Sequence, residues 1–74
     1  MTVDELAKRR LELLVRTIAT EFVAHDNSIW YSTDYVEDVD TWRKAARIAG
    51  RRLGFRVRTG VKPQRSRVWA TEEP

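Results

Sequence analysis

One amphipathic stretch, Val3 to Ala24, occupies almost a third of the 74 residues, so the rest of the chain must be built to cover its apolar side. Ala7, Leu11, Leu14, Val15, Ile18 and Phe22 recur at steps of three and four, the period of one face of a helix. Thr2, with Glu5 three residues later, fits a capping box in which side chains satisfy the free amides of the first turn. His25-Asp26-Asn27 ends the stretch. Leu13 and Val23 fall off the main stripe, so the apolar surface is wider than one contact requires. This predicts that two copies pair through the N-terminal helix.

Residues 25–74 must then supply the opposing layer, which limits the chain to one small domain, 1–74, with a single core. There is no cysteine and only one histidine, His25, so neither a disulfide nor a thiolate metal site is expected, and no cofactor or metal is predicted. A hydrophobic content of 42% with three tryptophans is the composition of a folded chain rather than a disordered one. No apolar run is long enough to cross a bilayer, and MTVDELAKRR lacks the apolar core of a signal peptide. The expected location is cytoplasmic.

The second half changes period. Ser28–Ser32 (SIWYS) is short, aromatic and β-favouring, and predicts one strand over 28–32. Ser32-Thr33-Asp34 offers helix caps, so DYVED is expected to form a short helix. A firmer helix is predicted over 40–53, with Trp42, Ala45, Ala46, Ala49 and Leu53 facing inward and Gly54 at its C-terminal cap. Phe55-Arg56-Val57-Arg58-Thr59 alternates apolar and basic residues, the period of a strand. With Arg67-Val68-Trp69-Ala70 returning, it predicts a hairpin of strands 55–59 and 66–70 around a basic tip, TGVKPQR. Residues 71–74 are expected to fray. The fold class is α+β.

Charge is segregated along this layout. Residues 26–40 carry Asp26, Asp34, Glu37, Asp38 and Asp40 and no base. Residues 41–70 carry Arg43, Lys44, Arg47, Arg51, Arg52, Arg56, Arg58, Lys62, Arg65 and Arg67 and no acid. The net charge of +3 therefore understates the asymmetry. On the 40–53 helix, Arg43, Lys44, Arg47 and Arg51 fall three or four residues apart, opposite Trp42 and the alanines. A guanidinium fork binds phosphate or the guanine edge with two hydrogen bonds. A solvated helix face is the plainer account, but such a face normally mixes signs and gains pairing energy. Arg56, Arg58 and Arg67 extend the basic surface along the hairpin, with Lys62 and Arg65 at its tip. An edge strand guarded against aggregation would explain Arg56 and Arg58, but not the basic loop as well.

Among the tryptophans, Trp42 belongs to the core. Val68 and Ala70 point inward together, which leaves Trp69 on the opposite side, free to stack on a base or anchor a partner. Trp30 is left undecided between core and surface. Most of the acids of 34–40 are accounted for as helix N-terminal charges, the alternative being a docking surface for a basic partner or for the basic half of a neighbouring copy. They lack the glycine and terminal glutamate of a calcium loop. No serine has a histidine partner in a suggestive context and no glycine-rich phosphate loop is present, so no enzyme activity is expected.

The order helix, strand, short helix, longer helix, hairpin resembles the winged helix-turn-helix arrangement. WRKAARIAGRRLGFRVRTGVKPQRSRVWA is similar to a recognition helix followed by a wing, and the resemblance covers roughly residues 28–70. It implies a small DNA-binding protein of bacterial or phage type, nucleoid-associated, acting as a transcriptional regulator or an architectural or recombination-accessory factor. The helix would enter the major groove of double-stranded DNA while the tip grips the backbone. The nucleic-acid-binding residues are then Arg43, Lys44, Arg47, Arg51, Arg56, Arg58, Lys62, Arg65 and Arg67. The alternative is a protein-interaction module, such as a phage-type inhibitor of an acidic host protein, with Trp69 as anchor. RNA is a weaker choice, because no aromatic motif of the RNA-recognition type is present.

Overall fold

A computed structural model describes residues 2–74. The chain is α+β, with helices α1 (Val3–Ala24) and α2 (Val39–Leu53) and strands β1 (Ser28–Ser32), β2 (Val57–Lys62) and β3 (Arg67–Glu72). The strands form one antiparallel sheet in the order β1-β3-β2. Element order and strand order are compatible with a winged-helix-like arrangement.

α1 starts where Thr2 Oγ1 accepts the amide of Glu5 at 3.3 Å. It ends because Asp26 and Asn27 both take left-handed backbone angles, φ 53° and 62°, a conformation that polar residues of this type tolerate best after glycine. The Asn27 amide then bonds back to Phe22 O at 2.8 Å, and the chain leaves directly into β1.

The core lies between the two helices and one face of the sheet. It comprises Val15, Ile18 and Phe22 of α1, Trp42, Ala45, Ala46 and Ala49 of α2, and Ile29, Val68 and Ala70 of the sheet. The three alanines let α2 lie close to its neighbours. At the N-terminal end of α2, Trp42 packs on Tyr31 with ring centroids 5.3 Å apart. At the other end Gly54 takes φ 95° and turns the chain so that Phe55 meets Phe22 edge-on, also at 5.3 Å.

Several expectations are corrected. The predicted DYVED helix is a single 3-10 turn over Thr33–Tyr35, so the first helix of a helix-turn-helix pair is missing. Asp38 stands at the N-cap position of α2 without a side-chain cap bond, and its carboxylate accepts the Thr41 hydroxyl at 2.5 Å. The hairpin strands run to 57–62 and 67–72 rather than 55–59 and 66–70, and the tip shrinks to Pro63–Ser66. Ser66 takes the left-handed φ of 51° that closes this tighter turn. The tail is not frayed through 71–74. Thr71 and Glu72 belong to β3, and the Glu72 and Glu73 amides bond to Asn27 O and Arg56 O at 2.9 and 2.8 Å. Leu53 is 40% exposed because Phe55 closes that end of the core. Ala7 is exposed, and Leu11 and Leu14 only half-buried. The reason is length: at about 1.5 Å per residue a 22-residue helix reaches ~33 Å, whereas six-residue strands reach only ~20 Å. The first turns of α1 therefore overhang the body.

Candidate nucleic-acid interface

On α2 the buried arc is fixed by Trp42, Ala45, Ala46, Ala49 and Gly50. At 100° per residue, Lys44, Arg47 and Arg51 fall within one narrow outward stripe, and all three are exposed. Asp40 heads the same stripe one turn before Lys44, yet forms no ion pair with it. Among the described residues the ion pairs are Glu12–Arg16, Glu21–His25 and Glu12–Arg52. None of the nine predicted contact residues is therefore neutralised by a carboxylate.

The remaining two bases of α2 have structural work. Arg52 grips Glu12 of α1 through both guanidinium nitrogens, at 2.8 and 2.7 Å. This pairing holds the Glu12 carboxyl below its usual range and raises Arg52. Arg43 is half-buried and donates to Thr59 O of β2 at 3.2 Å. It lies along the open edge of the sheet and satisfies a carbonyl there. That bond, together with Gly50 packed under Val57 and Phe55, sets the side of α2 that adjoins β2, and Arg47 is the stripe residue turned furthest toward it.

Strand register places the hairpin bases. Cross-strand partners share a face, and Trp30↔Trp69↔Gly60 and Ser32↔Arg67↔Lys62 are aligned rows, as is Ser28↔Thr71↔Arg58. These nine positions make up the outer face, which points away from both helices. Ile29, Val68 and Ala70 lie in the alternate rows, on the core side. Arg58 and Arg67 do project from one side of the hairpin, as the alternation predicts, but it is the side opposite α2. The two basic sets consequently meet around the β2 edge rather than on one plane. Arg43 bridges them, exposed Arg56 lies just before β2, and Arg65 sits on the hairpin tip.

Trp42 is 1% exposed and belongs to the core, with its indole N–H left unpartnered. Trp69 lies on the outer face and is half-buried. Trp30, undecided from sequence, is its register partner on that face and 55% exposed. A signal was available in the alternation of SIWYS, but choosing between its two faces required knowing the partner strand. A second feature not foreseen is a groove of about 1020 Å³ between the overhang of α1 and the loop before α2, lined by Leu6, Leu13, Leu14, Tyr35 and Val36. Leu13 lines it, whereas Val23 does not.

Among the described residues no group of three or more His, Asp or Glu side chains is placed to hold a metal ion, and no helix is long and apolar enough to cross a membrane. No family model, curated protein or solved structure matches the chain.

Proposed function

We propose that the protein binds double-stranded DNA with the outer face of α2, as a nucleoid-associated regulator or accessory factor. The carrying observation is the stripe Lys44–Arg47–Arg51, exposed and without a carboxylate partner along the one helix that a small alanine-lined core presents outward. A helix with its side chains is about 10–12 Å across, which matches the ~12 Å width of the major groove. With α2 in the groove, the β2 edge and the hairpin tip flank the backbone, so Arg56 and Arg65 are the hairpin bases best sited for phosphate. Arg58, Lys62 and Arg67 face away from such a duplex. In this reading two copies associate through the overhanging α1, where Leu6 and Leu13 are exposed beside the groove, so that two recognition helices address one site.

The test is a mobility-shift series with random duplex at several salt concentrations. Expected is binding that weakens steeply with salt, because each neutralised phosphate adds about 0.9 to the slope of log K against log salt. Arg47→Ala and Arg51→Ala should each lower affinity and flatten that slope by about one. Absence of binding at about 50 mM salt and micromolar protein, where nonspecific contacts are normally detectable, would sink the proposal. If instead Trp69→Ala abolishes capture of an acidic protein and duplex does not compete, the interaction-module reading takes its place.

A further inference from the structure

The outer face of the sheet is left unused by the duplex reading, and its composition is unusual for a solvent face. Its nine positions hold Trp30, Trp69, Arg58, Lys62 and Arg67 and no acid. The Arg67 guanidinium lies 3.9 Å from the centre of the Trp30 ring, a cation–π contact that sets a positive charge over one face of the indole. Trp69 leans the other way, over Gly60. A Cβ at Gly60 would come within 2.7 Å of Trp69 Cζ2 and 2.9 Å of Cε2, so the missing side chain is what lets the ring lie against β2. Arg58 and Lys62 flank Gly60 on the same strand face, and both are exposed. A depression of about 240 Å³ is lined by both indoles together with Lys62 and Arg67. That is smaller than the roughly 300–1,000 Å³ of a pocket for a folded small molecule, and suits a flat ring laid on the surface.

We propose that this face is a second nucleic-acid site, one that takes single-stranded DNA by stacking unpaired bases on Trp30 and Trp69 while Arg58, Lys62 and Arg67 hold the phosphates. Aromatic rings interleaved with bases on an open sheet are the chemistry that single strands require, since every base offers a π-face and every nucleotide a charge. A duplex cannot use the indoles, because its bases are already stacked on one another. The site stands on residues separate from the α2 stripe, so each assignment can fail without the other.

The experiment is titration of the full chain with a 15-nucleotide oligothymidine, followed by tryptophan fluorescence, beside an abasic strand of equal length carrying the same phosphates. Oligothymidine should quench the emission of Trp30 and Trp69 and leave a residue from buried Trp42. Trp30→Leu, which keeps apolar volume at an exposed position, should weaken binding about 5- to 150-fold, and Trp69→Phe should weaken it less. Arg47→Ala and Arg51→Ala should weaken duplex binding more than oligothymidine binding. Equal affinity for the abasic strand, or an unaltered affinity in Trp30→Leu, would overturn the stacking site. Tighter binding of oligouridine than of oligothymidine would overturn the assignment to DNA.

Discussion

The lack of a side chain at Gly60 decides where an indole lies. Replacement by alanine forces a Cβ against Trp69 Cζ2, Cε2 and Nε1, and the ring must lift from β2. The expected cost is that of mild overpacking, about 1–3 kcal/mol, with Trp69 more exposed. Denaturant melts and the emission maximum check this, and an unchanged emission maximum would show that the ring does not rest there. Gly50 is constrained from the other layer. Alanine there would gain about 1 kcal/mol of helix propensity, but its Cβ would collide with Val57 Cγ2 and press on the Phe55 carbonyl at 3.1 Å. Backbone yields less readily than a side-chain tip, so Gly50→Ala should still destabilise. Neither constraint was legible in the sequence, where Gly50 sits inside a regular helical pattern and Gly60 looks like part of the hairpin tip. Trp42, by contrast, was legible, since its spacing with Ala45, Ala46 and Ala49 fits only an inward face.

Elements were readable wherever a period ran long enough. α1 and α2 follow from three- and four-residue spacing, and Gly54 from the cap that a helix end needs. The hairpin ends were misplaced because Thr59 to Lys62 looks like loop, with Gly60 and Val61 breaking the alternation. Pairing with β3 overrides that local signal, and only Pro63–Ser66 remains to turn. The docking of α1 on α2 brings in Glu12 and Arg52, forty residues apart, which no local pattern joins. Their pairing has a pH signature. Arg52's hydrogen bonds hold Glu12 below its ordinary range, so the folded state binds the proton more weakly than the unfolded chain. The stabilisation is then complete above the unfolded carboxyl pKa, about 4.3, and is lost as pH falls through the lower folded value. Asp38, held low mainly by the Thr41 hydroxyl, adds in the same direction. In thermal melts the stability gap between the wild type and Glu12→Gln should be constant near neutrality and close in acid. A gap that does not narrow in acid would assign the Glu12→Gln loss to packing rather than to the ion pair.

At the scale of the whole molecule, α1 outgrows the body it covers. Residues 2–10 are exposed throughout, and an overhang bearing Leu6 and Leu13 at seven-residue spacing puts both on one side of the helix, with Leu13 64% exposed. A chain this short buries a modest fraction of its surface on folding, so a second copy laid against this groove would remove apolar area that the monomer leaves wet. Association would also place two α2 stripes on one particle, doubling the phosphates met and steepening the salt dependence of duplex binding. Leu13→Glu should separate these effects, since it sets a charge in the groove and lies away from the α2 stripe and the outer face of the sheet. The wild type should sediment as a dimer at micromolar concentration and Leu13→Glu as a monomer. The variant's duplex affinity should fall together with about half of its salt slope, while its affinity for oligothymidine, a property of one sheet face, should persist. A wild type that remains monomeric at high micromolar concentration would exclude pairing through α1 and leave a single stripe to account for any duplex binding.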